Sequence, residues 1–180
     1  MRPVSAYVIL LRGVNVGGKG KVPMSALRES LEKVGFEDVV TYIQSGNVVL
    51  RSPSAGKPAT LASRIENLLS TELGVPAKVL IRTPKELVAI DAANPFGRED
   101  RSKLHVVFLS EAPKVAAAAE LDPNRSPGDE FVVRGSEVYL RLANGAGRTK
   151  LTLDYLERGL GVAATQRNWN TLLKLIELSR

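Results

Sequence analysis

The chain has no cysteine and a single histidine. The first absence excludes disulfides, thiol nucleophiles, CxxC redox pairs and thiolate zinc sites outright. The second leaves His105 as the only imidazole available to a triad and rules out multi-histidine metal centres. His105 alternates with Leu104 and Val106 inside a strand-like run, with no carboxylate at a dyad spacing, so it reads as a structural or surface residue. Asp and Glu are scattered through turns and helix faces without a paired-ligand or glycosidase-like pattern. Conventional hydrolase chemistry is therefore disfavoured, and neither a metal nor a cofactor is expected. Long apolar runs are lacking as well. None approaches the roughly 18 to 20 residues of a membrane-spanning helix, so no membrane partner is expected. Met1-Arg2-Pro3-Val4-Ser5 leads into a short strand-like run without the pattern of a secretory signal, and the expected location is cytoplasmic.

Acidic residues are missing from one long stretch: between Arg2 and Arg28 there is neither Asp nor Glu. The 180-residue chain carries a net charge of +6, and residues 1–82 hold most of it, with 11 Lys and Arg against 6 Asp and Glu. That field draws anions to whatever lies inside it. Inside it lies Leu11-Arg12-Gly13-Val14-Asn15-Val16-Gly17-Gly18-Lys19-Gly20-Lys21, a basic glycine loop between an apolar strand-like run and a helix-like segment. Glycines let backbone N–H groups approach a ligand closely, and Arg12, Lys19 and Lys21 supply charge. Gly13 to Gly20 also matches G-x-x-x-x-G-K. However, Gly20 stands where a P-loop needs the Ser or Thr that holds magnesium, and Pro23 delays the helix, so the spacing argues against an NTPase loop.

The periodicities give a strand at 4–12 and a helix carrying Met24, Leu27, Leu31 and Val34 on one stripe. A hairpin of 38–44 and 47–51 follows, turning across Ser45-Gly46, with Val40, Tyr42 and Gln44 sharing a face with Asn47, Val49 and Arg51. A helix through Leu61, Ile65, Leu68, Leu69 and Leu73 and a strand at 78–82 complete the first half. Thr83-Pro84-Lys85-Glu86 has capping-box spacing for a helix to about Ala93, and Gly97 to Ser102 is linker-like. The second half repeats the order: a strand at 103–109, an alanine-rich helix at 111–121, and a hairpin of 130–134 and 137–142 across Gly135-Ser136. A helix at 151–158, a strand at 162–165 and a terminal helix at 169–178 follow. Tight hairpins join antiparallel neighbours, so the expected fold is α+β with two ferredoxin-like (βαββαβ) subdomains of antiparallel sheets. Their expected limits are 1–82 and 103–180, joined by a helical linker at 83–102.

Two further segments have chemical content. Tyr42-Ile43-Gln44-Ser45-Gly46-Asn47 groups a tyrosine and amides beside Arg51; if helices cover the opposite face, these side chains are open to stack and read bases, whereas in a closed fold the amides cap the turn. Thr165-Gln166-Arg167-Asn168-Trp169 sets hydroxyl, amide and cation before a helix, which suits an anion or an N-cap at Asn168. Arg148-Thr149-Lys150, after the turn 144–147, is a smaller anion-compatible element.

Taken together, Leu11 to Gly18, Thr41 to Val49 and Thr165 to Leu175 resemble, in order and spacing, the signature of the bacterial family catalogued as domain of unknown function 1697. The resemblance implies two ferredoxin-like subdomains and no particular activity. Its signature residues fall here on Arg12, Gly13, Asn15, Gly17, Gln44, Ser45, Gly46, Asn47, Arg167, Asn168 and Trp169. One departure is Thr149 before Lys150-Leu151, where the family pattern has serine; the hydroxyl is kept.

The leading functional expectation is a non-enzymatic, phosphate-recognising protein with nucleic acid or a nucleotide as ligand. Arg12, Gly13, Asn15, Gly17, Gly18, Lys19 and Arg167 would hold phosphate, and Tyr42, Gln44, Ser45, Asn47 and Asn168 would contact a base or other polar groups. One rival is an enzyme acting on a phosphorylated small molecule in a cleft between subdomains, its catalytic groups unassigned. Another is a protein-interaction module using exposed sheet edges.

Overall fold

The computed structural model describes residues 4–15, 21–53, 56–97 and 100–180. Its elements run β1(Ser5–Arg12), α1(Met24–Lys33), β2(Glu37–Tyr42), β3(Asn47–Ser52), α2(Pro58–Leu73), β4(Lys78–Arg82) and α3(Pro84–Ala92). After a 3₁₀ turn at Arg101–Lys103 come β5(Leu104–Leu109), α4(Val115–Ala119), β6(Glu130–Arg134), β7(Glu137–Arg141), α5(Leu153–Leu160), β8(Ala164–Asn168) and α6(Trp169–Leu178). Backbone contacts divide the chain into two compact units, Met1–Val88 with Lys174–Arg180, and Ala89–Leu173, the divisions falling within α3 and α6.

Each unit holds one four-stranded sheet, ordered β2-β3-β1-β4 in the first and β6-β7-β5-β8 in the second. All pairings are antiparallel. This is the ferredoxin-like βαββαβ order, present twice. In the first unit alternation sends Tyr7, Ile9 and Leu11 of β1, Val48 and Leu50 of β3, and Val79 and Ile81 of β4 to one face. There they form a core with Leu27 and Leu31 of α1 and Leu61, Ile65 and Leu69 of α2. Val107, Leu109, Val138, Leu140 and Ala164 make the matching face of the second sheet, packed with Leu156 and Leu160 of α5.

The first hairpin differs from expectation in its turn. Tyr42 rather than Gln44 opposes Asn47, leaving a four-residue tip, 43–46. The slip is two residues, so side chains keep their faces. The alanine-rich helix is also shorter than its composition suggests: α4 spans only Val115–Ala119, since Pro113 precedes it and Lys114 at its N-cap offers no side-chain hydrogen bond. By contrast, the Thr83–Glu86 capping box forms as its spacing predicts, with Thr83 N donating to Glu86 Oε2 (2.6 Å) and Glu86 N to Thr83 Oγ1 (3.2 Å).

The two units block their outer strands in the same way. Leu11 N of β1 donates to Gly46 O and Leu109 N of β5 to Ser136 O, in each half the last residue of the hairpin turn. Leu11 opposes Val79 and Leu109 opposes Ala164, so Val79 corresponds to Ala164 and Arg82 to Arg167. Val79 N donates to Glu66 Oε1 of α2 (2.9 Å) and Ala164 N to Glu157 Oε1 of α5 (2.7 Å). Arg82 Nη1 donates to Ile81 O (2.9 Å) and Arg167 Nη1 to Gln166 O (2.7 Å). A helix carboxylate caps an edge N–H and an arginine folds back on an edge carbonyl, once in each half.

Candidate functional site

The glycine loop and the hairpin tip meet within the first unit. β1 ends at Arg12, and Gly13 then takes φ +76° beside open space. Val14 turns into the core, 1% exposed. Asn15 sits in the left-handed region at φ +54°, a conformation asparagine tolerates better than most residues. Its side chain closes the loop: Nδ2 donates to Val22 O (3.0 Å) and Gln44 O (2.6 Å), and Oδ1 accepts from Val22 N (2.9 Å). The Asn15 amide therefore works as a clamp joining both ends of the loop to the tip.

The tip is pressed equally hard from its own side. Gly46 has φ +78°, and a Cβ there would lie 2.4 Å from Val14 Cγ2 and 2.7 Å from Leu11 Cβ. Asn47 is fully buried and donates Nδ2 to Tyr42 O (3.1 Å) and Ser45 Oγ (3.3 Å), which holds the turn. Ile43 takes φ +50° while half-exposed. For a β-branched side chain that conformation is costly, on the order of 1–2 kcal/mol, and persists only where its surroundings impose it.

Between loop and tip opens a cavity of about 480 Å³, walled among the described residues by Asn15, Lys21, Val22, Pro23 and Gln44. Lys21 and Gln44 are exposed and Val22 is buried. Pro23 is the N-cap of α1 and supplies no side-chain hydrogen bond, so the first N–H groups of a ten-residue helix begin at this wall without a cap. The cavity thus combines one ammonium, two amides (that of Asn15 being held in the clamp), an apolar floor and the positive end of a helix. Arg12 is half-buried at the end of β1 and is not among these walls. Gly17, Gly18 and Lys19 lie outside the described residues.

The face bearing Tyr42 is not an open sheet. It also carries Val8, Leu10, Asn47, Val49 and Leu80, all no more than 5% exposed. The expectation that helices on one side leave the other to solvent fails at those positions. Tyr42 and Ser45 are half-buried.

The family model described as protein of unknown function (DUF1697) matches residues 4–139. The chain belongs to this family. Its fold is shared by a solved structure, the conserved bacterial protein SP0830 from Streptococcus pneumoniae, at 22% identity and a TM-score of 0.77, over 99% of this chain and 100% of that one. A comparison with curated proteins finds no match.

The third signature segment of this DUF1697 protein lies in the second unit as far as Leu173. Thr165, Gln166 and Arg167 are strand rather than loop, because β8 runs on to Asn168. Arg167 is 8% exposed, and Nη1 donates to Thr165 Oγ1 (2.7 Å) as well as to Gln166 O. Loss of hydration pulls the guanidinium down to about 10. Asn168 Oδ1 accepts from Thr171 N (2.8 Å), the N-cap expected for α6. Trp169, 1% exposed, donates Nε1 to Asp91 Oδ1 (3.1 Å) and lies 6.2 Å from the ring of Tyr139. Tyr139 in turn donates its hydroxyl to Ile90 O (3.2 Å), and burial pushes that hydroxyl up to about 12. Within their unit these residues brace β8 and the start of α6.

Sequence reasoning missed a polar knot in the same unit. Asp129 Oδ2 accepts from Ser126 Oγ (2.7 Å), its Oδ1 accepts from Asn144 N (3.0 Å) and Nδ2 (3.2 Å), and Lys150 N donates to Ser126 Oγ (3.0 Å). Burial tends to raise the Asp129 carboxyl, but bonds from the Asn144 backbone, Ser126, Thr149 and the Asn144 side chain outweigh it and hold the group below its ordinary range. Thr149 and Lys150, read from sequence as anion-compatible, thereby help to fasten two loops together. His105 is buried in β5, with Nδ1 unpartnered among the described residues and its basicity lowered by that burial. Among the described residues no helix is long and apolar enough to cross a membrane.

Proposed function

We propose that the first unit binds a small phosphorylated ligand of nucleotide size in the cavity between the glycine loop and the hairpin tip. The observation that carries this reading is the cavity of about 480 Å³ itself, within the range of small-molecule sites and opening at the uncapped start of α1. Lys21 and the helix N-terminus are the anion-directed groups, the exposed Pro23 a surface for an apolar moiety, and Gln44 a hydrogen-bonding partner. Arg12 adds to a positive field with no acidic residue until Glu29. The strain held at Ile43 fits a tip kept in place for a ligand rather than for stability. A stacked single strand on the sheet face is the weaker reading, because that face is buried at Val8, Leu10, Val49 and Leu80. A cytoplasmic setting suits such a ligand and a cysteine-free chain.

Calorimetric titration with inorganic phosphate, ADP, ATP and a short single-stranded RNA tests it. The expected result is binding of the nucleotides that weakens steeply with salt and falls about tenfold or more in Lys21→Ala, in keeping with a charge-assisted contact. Equal binding by wild type and Lys21→Ala, or no binding of any phosphate at low salt, refutes it.

A further inference from the structure

Three of the four outer strands carry a device against pairing with another chain. β4 and β8 have the carboxylate and arginine blocks of Glu66 with Arg82 and Glu157 with Arg167. β2 is broken by a register shift between Glu37 and Val40, with Asp38 at φ +48°. The remaining outer strand, β6, has neither.

β6 reads Glu130-Phe131-Val132-Val133-Arg134 and pairs with β7 in unbroken register from Glu130↔Arg141 to Arg134↔Glu137. The two-residue turn makes Arg134 and Glu137 a hydrogen-bonded pair, so Glu130, Val132 and Arg134 direct their backbone groups to β7. Phe131 and Val133 direct theirs outward, and among the described residues nothing partners those groups. The side chains at the two ends are exposed and the three between half-buried. Glu130 has Arg141 as an ion-pair partner, and Arg134 Nη1 donates to Ala93 O (2.8 Å), but both remain open to solvent.

We propose that β6 is a dimerisation edge and that its occupant is β6 of a second copy of this chain, antiparallel and centred on Val132. The strand is its own complement in that alignment. Glu130 faces Arg134 of the second copy, Phe131 faces its Val133, and Val132 faces Val132. The outward N–H and C=O groups of Phe131 and Val133 then bond one another, the alternation the free edge requires. The charged ends and Val132 fall at non-hydrogen-bonded positions, where side chains approach most closely. Shifting the alignment by two residues either way sets a charged end against Val132 or the turn. The contact is isologous and closed, giving one continuous sheet across two copies and no onward growth. It is also small, so association depends on concentration.

Sedimentation velocity over a wide dilution series reads this directly. Wild type is expected to pass from monomer to dimer. Val133→Pro removes an outward N–H without touching the β7 ladder, and Arg134→Glu sets carboxylates against each other at both ends; each is expected to weaken the dimer about tenfold or more. In hydrogen exchange, the amides of Phe131 and Val133 are expected to gain protection as wild type is concentrated, while that of Val132 is protected throughout. A monomer at every concentration overturns the proposal, as does a dimer that both variants leave unchanged. Should Val133→Pro not fold, Arg134→Glu and the two amides still decide it.

Discussion

Replacing Gly46 by alanine adds a methyl group where two constraints meet. The residue holds φ +78°, and the new Cβ would lie 2.4 Å from Val14 Cγ2 and 2.7 Å from Leu11 Cβ. The left-handed conformation costs about 1–2 kcal/mol for a residue with a Cβ. Forcing a methyl into a filled space costs about 1–3 kcal/mol more, because Leu11 and Val14 are each 1% exposed and have nowhere to retreat. Gly13→Ala is the control: its φ is nearly the same, +76°, and nothing lies within 4 Å of its Cβ. It should therefore bear the conformational cost alone. Urea and thermal unfolding of both variants separate the two effects, with Gly46→Ala expected to lie about 1–3 kcal/mol below Gly13→Ala, or roughly 2–12 °C lower in Tm for a chain of this size. Equal losses would refute the claim that the hairpin tip is seated on the loop, and the cavity wall built on that contact would go with it.

Asn15→Ala removes all three clamping bonds and leaves alanine at φ +54°; a loss of about 2–4 kcal/mol is expected in denaturant unfolding, of which Asn15→Gly should recover only the conformational share. Asp129→Asn should cost about 2 kcal/mol and flatten the acid limb of stability. The folded carboxyl lies below its unfolded value near 3.9, so its contribution is present above that pH and is lost as pH falls through the depressed value. His105 also titrates low when folded. Protonation therefore favours the unfolded chain, stability is complete above about pH 6.5 and declines below it, and His105→Leu should abolish that part of the slope in a pH series of unfolding midpoints.

The duplicated fold was legible because its signals are local. The unbroken apolar runs Val48 to Leu50 and Val106 to Leu109, the Thr83–Glu86 box and the glycines after α2 and α5 each act within a few residues. What failed to show was set by tertiary contact. The four-residue tip at 43–46 exists because Leu11 and Val14 receive Gly46, and nothing inside Gln44-Ser45-Gly46-Asn47 records that neighbour. β8 continues through Thr165, Gln166 and Arg167 because β5 offers partners to each, although their polarity suggests a loop. The burial of Val8 and Leu10 is written in the unbroken apolar run Tyr7 to Leu11, since a strand covered on one face alternates, whereas nothing around Asn47 records that it is buried. In the candidate site the loop, Asn15 and Gln44 were legible, whereas Pro23 as a wall was read only as a helix start.

The two halves are alike in how their outer strands are closed and differ in the loop after the first strand and in the hairpin. Glu66 and Glu157 cap equivalent edge amides, and Arg82 and Arg167 turn back on equivalent carbonyls, so the outer strand beside the central one is closed in both. The link from first strand to first helix differs: in the first unit it is the basic glycine loop, and in the second it runs from Leu109 to Val115 with Glu111 and Pro113 in place of glycine. The hairpins diverge in the opposite sense, β2 being broken at Asp38 while β6 is regular. These differences accord with the proposals that assign ligand binding to the first unit and association to the second. The two activities are then separable: Lys21→Ala should leave the monomer–dimer equilibrium unchanged, and Arg134→Glu should leave nucleotide titrations unchanged at equal protomer concentration. If either substitution moved both measurements, the division of labour between the halves would be wrong.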